Sequence, residues 1–231
     1  PGPVFANIIL ADEINRTPPR TQAALLEAMQ EYQVTVGGVR YPLERPLFVL
    51  ATENPIEQEG TYPLPEAQLD RFLMHLLVTY PDAAGERAIL ALNRAEQRRS
   101  ATDEELFTAS QLLTQKEVMA ARLEVLNLHL SPALEEYIVQ IVLATRAPER
   151  YGDDLAGVLQ YGASPRATIA LDRCSRAHAW LAGRDYVTPE DIQAVAHDVL
   201  RHRILLGFEA EAAGRTPNEI VATLLARIGV P

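Results

Sequence analysis

The chain has 231 residues, 48% hydrophobic and 23% charged, which is enough apolar content for an ordinary core and too much for a disordered chain. Its formal charge of −10 argues against a non-specific nucleic-acid binder, though a local basic patch stays open. No apolar run approaches the length of a membrane span. Pro1-Gly2-Pro3 lacks the layout of a signal peptide. The single cysteine, Cys174, excludes an internal disulfide and fits a reducing, cytoplasmic setting.

The first part of the chain, to about residue 99, alternates short apolar runs with helical stretches. Asn7–Ala11, Leu47–Thr52 and Leu73–Val78 are continuously apolar rather than alternating, the pattern of strands covered on both faces of a parallel sheet. Between the first two, Thr17 is the expected N-cap and Pro18 the first residue of a helix carrying Leu25, Leu26 and Met29. Gln33–Tyr41 predicts a β-hairpin turning on Gly37-Gly38.

From about residue 100 the texture becomes helical. Ser131-Pro132, Ser164-Pro165, Thr188-Pro189 and Thr216-Pro217 repeat one device, a hydroxyl cap followed by proline at the first helical position. Thr216 and Glu219 form a capping box. Leu134, Ile138, Ile141 and Val142 mark the apolar stripe of one such helix. Residues 148–163, rich in Gly and carrying Asp153-Asp154, read as a loop. The expected organisation is an α/β part, 1–99, followed by an all-α part, 100–231.

Two details of composition bear on chemistry. The first Met is Met29, which suggests a piece of a longer protein. The single lysine, Lys116, lies in Thr114-Gln115-Lys116-Glu117, and a phosphate-cradling P-loop needs Gly before the lysine and Ser or Thr after it. This chain therefore offers no such loop.

Candidate site residues stand at the ends of the apolar runs. Asp12-Glu13 follows the first, where ligands of open α/β sheets bind. One acid could hold Mg²⁺ through its water shell while the other orients an attacking water. Asn54, after the second run, would share that edge and position a water without adding charge. Arg71, before the third run, is placed to stabilise phosphate charge. Arg166, the second residue of a capped helix, strengthens an anion-favouring terminus. Singly, each has a bland alternative: solvated acids at a strand end, an Asn-Pro turn, an Arg71–Asp70 ion pair, an exposed helix arginine. The five histidines show no metal-ligand spacing, Cys174 shares an apolar stripe with Ala167, Ala170, Leu171 and Leu181, and Trp180 suits packing.

Taken together the motifs are familiar. Leu10–Arg16 followed by Gln22–Met29 resembles the Walker B region and next helix of MoxR-type AAA+ ATPases. Ala51-Thr52-Glu53-Asn54-Pro55 resembles their sensor 1, Gly60–Phe72 their arginine-finger block, and Gly162–Ala167 the sensor 2 motif of their helical lid. The resemblance implies a partial AAA+ parallel-sheet core, the C-terminal part of a P-loop NTPase domain, followed by an all-α lid. It implies ATP and Mg²⁺ as cofactors. Asp12 would help hold Mg²⁺, Glu13 would activate the hydrolytic water, and Asn54 would orient it. Arg71 would reach the next subunit's nucleotide, and Arg166 would read the γ-phosphate from the lid. Residues 33–41 would be the pre-sensor-1 hairpin. Such proteins form rings, usually hexamers, and act as chaperone-like remodelers, often with von Willebrand A domain partners.

The family's Walker A loop, first two strands and helix 2 insert would precede residue 1, roughly 100 residues by fold analogy. The expectation is that these 231 residues alone neither hydrolyse ATP nor form a well-behaved monomer, because the second and third apolar runs would lack their shared neighbour strand. Two other readings stay open: a non-catalytic protein-interaction module and a magnesium-chelatase-type motor subunit. A nucleic-acid translocase fits the charge least.

Overall fold

The computed structural model describes residues 2–54, 60–101 and 112–231. The chain divides into two compact units, one holding the residues up to His75 together with Ala121–Pro231, the other Leu76–Ala120. The elements run β1 (Ile8–Ala11), α1 (Pro19–Glu31), β2 (Gln33–Val36), β3 (Val39–Pro42), β4 (Phe48–Ala51), α2 (Glu66–Leu69), α3 (Ala83–Ala101), α4 (Gln115–Asn127) and α5 (Pro132–Arg146). They continue with β5 (Leu159–Tyr161), α6 (Pro165–Leu181), α7 (Pro189–Leu200), β6 (Leu205–Leu206), α8 (Phe208–Ala212) and α9 (Pro217–Arg227).

In the first unit, β1 and β4 pair in parallel, from Ile8 opposite Phe48 to Ala11 opposite Ala51. The connection between them passes through α1 and the β2–β3 hairpin. That hairpin turns in two residues, with Val36 opposite Val39. Gly37 and Gly38 both adopt positive φ, 58° and 80°, the geometry that lets a two-residue loop follow the strand twist. Ala28, Val34 and Leu43 form a small core beneath it, joined by Val4 and Leu47.

Helix α1 starts one residue later than expected. Pro18 is the N-cap, extended at φ −57° and ψ 147°. Proline disfavours helical geometry in the residue before it, so Pro19 keeps Pro18 out of the helix. Thr17 does not cap; its hydroxyl donates to the Ile14 carbonyl of a 3₁₀ turn at Ile14–Arg16.

The third apolar run, Leu73–Val78, forms no strand. The reason lies in where its backbone groups go. Phe72 and Leu73 give their carbonyls to Arg203, the His75 carbonyl accepts from Arg201, and the His75 N–H donates to Asp198. Side chains and backbone around the end of α7 thus take backbone groups of Leu73 and His75 that a ladder would have used.

The larger core lies among α5, α6, α7 and α9, where Ile138, Ile141, Leu171, Ile192, Val199 and Ile220 are almost fully buried. The expected caps are in place. Ser131 accepts from Leu134 N and Ser164 from Arg166 N, while Thr188 with Asp191 and Thr216 with Glu219 form capping boxes. Residues 148–163 hold more structure than the expected loop: two 3₁₀ turns, then β5, which pairs antiparallel with β6. Cys174 is in the core as expected, its thiol pushed up by burial to about 11, but Leu181 is exposed. In the second unit, α3 leaves Ile89, Leu90 and Leu92 exposed. Among the described residues, no helix is long and apolar enough to cross a membrane.

Candidate functional site

The parallel register of β1 and β4 brings their carboxyl ends level, so Asp12 and Thr52 leave the sheet side by side. Thr52 then ties the edge together. Its N–H donates to the Ala11 carbonyl at 3.0 Å, extending the ladder by one bond. Its hydroxyl donates to Asp12 Oδ1 at 2.6 Å and accepts from the Glu13 N–H at 2.8 Å, and its carbonyl accepts from Ile14 N at 2.9 Å.

Glu13 occupies the left-handed region, φ 49° and ψ 54°. A non-glycine residue there is strained by about 1 kcal/mol or more and persists only where its surroundings determine it. The bonds from Thr52 supply that determination. The turn aims Asp12 and Glu13 differently: Asp12 is exposed, while the Glu13 carboxylate lies 3.1 Å from Arg16 Nε. Asn54 joins through the next residue of the turn, its carbonyl accepting from Asn15 Nδ2 at 3.4 Å. Gln22 of α1, itself buried, donates to both the Ile14 and Tyr62 carbonyls and so fixes the turn against the segment after residue 60.

Asp12, Glu13 and Asn54, expected on one edge, are therefore brought together. Two adjacent carboxylates with an exposed member suit a hard cation such as Mg²⁺, which binds proteins through one or two carboxylates and keeps waters or substrate phosphates as its other ligands. No cluster of three or more His, Cys, Asp or Glu able to enclose a metal occurs among the described residues. The oxygen set fits Mg²⁺ shared with a phosphate better than a closed metal cage.

Arg71 and Arg166 stand apart from the acids in their bonding. Arg71 is half-buried; it donates to Gln30 Oε1 of α1 and to the Ala67 carbonyl. Its neighbour Asp70 makes no ion pair with it. Asp70 Oδ2 instead accepts from Ser164 Oγ at 2.8 Å and lies 3.7 Å from Arg166 Nε, while Oδ1 lies 3.1 Å from Arg203 Nε. Arg166 keeps its side chain 46% exposed, so it is not lost in the core. Burial works against the charge of Arg203 and Asp70 offsets this, leaving the guanidinium below its ordinary basicity. A cleft of about 310 Å³ opens here, lined among others by Glu66, Asp70, Gly162, Ser164, His202 and Arg203.

The loop that presents Arg166 is held on α5. Gly162 passes so close to the Thr145 carbonyl that a Cβ would sit 2.4 Å from its oxygen. The next residue donates its N–H to Thr145 Oγ1 and accepts from Arg146 Nε. Any side chain at 162 would push this loop off the helix.

Thr52, Gln22, Asp70 and Arg203 were not singled out by the sequence as organisers. Thr52 had a detectable signal, a hydroxyl at the end of an apolar strand. Arg203 had none, because all its partners but the Val199 carbonyl are about 130 residues away. Elsewhere, His178 Nδ1 lies 2.7 Å from Asp191 Oδ1 and Trp180 donates to Glu124 at 2.9 Å, so both do structural work in the helical part.

Comparison with known proteins agrees with this architecture. Residues 1–74 match the family described as ATPase family associated with various cellular activities (AAA), and residues 156–224 match the AAA lid domain. The chain is 42% identical over its whole length to Chaperone MoxR1 of Mycobacterium tuberculosis, of which it covers 59%. It is 34% identical to Protein MoxR of Paracoccus denitrificans, all of the chain aligning with 71% of that protein. A crystal structure of an ATPase candidate from Cytophaga hutchinsonii superposes with a TM-score of 0.90 at 47% identity, covering all of this chain and 68% of the other. With a parallel-sheet part, a helical lid and identity running from end to end, the chain belongs to the MoxR-type AAA+ ATPases.

Proposed function

We propose that the protein binds and hydrolyses ATP with Mg²⁺ and uses the cycle to remodel or activate partner proteins. The observation that carries this is the Thr52-centred junction, which gathers Asp12, Glu13 and Asn54 at the carboxyl edge of a parallel sheet. Mg²⁺ would supply positive charge to the terminal phosphates. Asp12 is the residue to hold it through water, its carboxylate oriented by the Thr52 hydroxyl. Glu13 is the base for the attacking water and Asn54 orients that water. Arg166 reads the terminal phosphate from the lid.

Arg71 acts on the nucleotide of a neighbouring subunit in a homo-oligomeric ring, a hexamer. To do so it must leave Gln30, whose neutral amide oxygen holds a guanidinium less strongly than a carboxylate or phosphate would. The name of the Mycobacterium relative supports a chaperone role; a von Willebrand A domain partner is the corresponding proposal for what is remodelled.

The test is Glu13→Gln in the complete protein. Steady-state ATP turnover should fall by a factor on the order of 10² to 10⁴, the usual worth of a positioned base, while Mg²⁺–ATP affinity stays nearly unchanged. Turnover at the wild-type rate would overturn the assignment.

A further inference from the structure

Asp70 has three cationic or hydroxyl partners, and they are unequal. Arg203 is anchored: its side chain is 2% exposed, and besides Asp70 Oδ1 it bonds the carbonyls of Asp70, Phe72, Leu73 and Val199. All those other partners are neutral carbonyls, so Asp70 carries the charge compensation that a buried cation requires. Ser164 Oγ donates to the other carboxylate oxygen at 2.8 Å and fixes the start of α6 to Asp70. Arg166 is different. It meets the same oxygen only at 3.7 Å, from a side chain about half exposed. That is a loose pair, of the kind worth little and easily exchanged.

We propose that Asp70 is a positioning residue that holds Arg166 back from the nucleotide until a phosphate displaces it. This rests on the reading of Arg166 as the phosphate-sensing arginine of the lid. A terminal phosphate carries more charge than a carboxylate and presents several oxygens to a guanidinium fork, so it takes Arg166 from Asp70. Ser164 and Arg203 stay on Asp70 when Arg166 leaves, so the start of α6 remains docked.

The experiment measures affinity for a fluorescent, non-hydrolysable ATP analogue with Mg²⁺ in the complete protein, as a cycle of wild type, Asp70→Asn, Arg166→Ala and the double variant. Asp70→Asn keeps the size and much of the hydrogen bonding but removes the charge. It should tighten analogue binding about threefold to fivefold, the scale of a part-exposed ion pair. Arg166→Ala should weaken binding, and in its background Asp70→Asn should have no further effect. Weaker or unchanged binding in Asp70→Asn, or equal tightening with and without Arg166, overturns the latch. Unchanged binding in Arg166→Ala overturns the sensing role and the latch with it, so the two failures are told apart. If Asp70→Asn does not fold, Asp70→Asn combined with Arg203→Met removes the buried cation together with its counter-charge and carries the same test with the same outcomes.

Discussion

Around α5, α6, α7 and α9 the chain buries Ile138, Leu171, Ile192, Val199 and Ile220 almost completely, whereas β1 and β4 leave Ile8, Leu10, Phe48 and Leu50 exposed on one face. The helical region closes on itself because four amphipathic helices can turn their apolar stripes inward. Two parallel strands cannot; with period-2 alternation Ile9, Ala11, Val49 and Ala51 are half-buried on one face and the other face is left uncovered. Each fully buried aliphatic side chain contributes about 1.5–3 kcal/mol, so the helical region carries most of the fold's stability. The acids of the candidate site sit on the thinner region, held by hydrogen bonds through one threonine. Stability and chemistry are thus lodged in different places, and substitutions should separate them.

The sharpest way to break this contrast is Leu171→Ala. Leu171 is fully buried, and truncation should cost about 2–5 kcal/mol, read as a lower midpoint in chemical denaturation. A loss below about 1 kcal/mol would show that the helical core is not the mainstay.

Acid comes next. Burial first, then the Arg203 guanidinium, with smaller effects from His75 and Arg201, hold the His202 imidazole at about 3 against an ordinary 6.5, even though its bond to the Phe72 carbonyl raises it. Below 6.5 the unfolded chain takes up a proton that the folded chain refuses, so stability is full above 6.5 and is lost as pH falls toward 3. The loss should reach about 2 kcal/mol by about pH 5. Melting temperature measured against pH should fall less steeply in His202→Asn; parallel profiles for the two proteins would count against it.

Thr52→Val tests the other region. It removes the hydroxyl that serves Asp12 and Glu13. ATP turnover of the complete protein should fall at least about tenfold, or about 1.4 kcal/mol in barrier, with a stability change near 1 kcal/mol. Undiminished turnover would mean that the edge is organised by something else. Smaller still, Thr216→Ala should cost about 1 kcal/mol through loss of the α9 capping box, seen in the same denaturation experiment. The least effect belongs to Leu10→Ser: Leu10 is 64% exposed, and the change should stay within about 0.5 kcal/mol. A large loss there would show that the uncovered face is packed in solution.

Local chemistry made much of this legible in advance. Gly37-Gly38 dictated the hairpin because only glycine takes two positive φ values without strain, and each Ser/Thr-Pro pair marked a helix start within a few residues. Legibility failed where two signals competed or where partners were distant. Thr17 was a cap by composition, but Pro18-Pro19 moved the helix start past it. Leu73–Val78 was a strand by hydropathy, yet hydropathy does not say which groups claim the carbonyls.

The order of the motifs, the edge on which Asp12, Glu13 and Asn54 fall, and the capped helices follow from the amino-acid sequence alone, because caps, turns and apolar periodicity act over a handful of residues. The pairing of Asp70 with Ser164, Arg166 and Arg203 rather than Arg71, and the bond that ties Arg71 to Gln30, were decided by tertiary structure. A buried charge takes whichever opposite charge the packing brings within reach, and that choice depends on the whole fold.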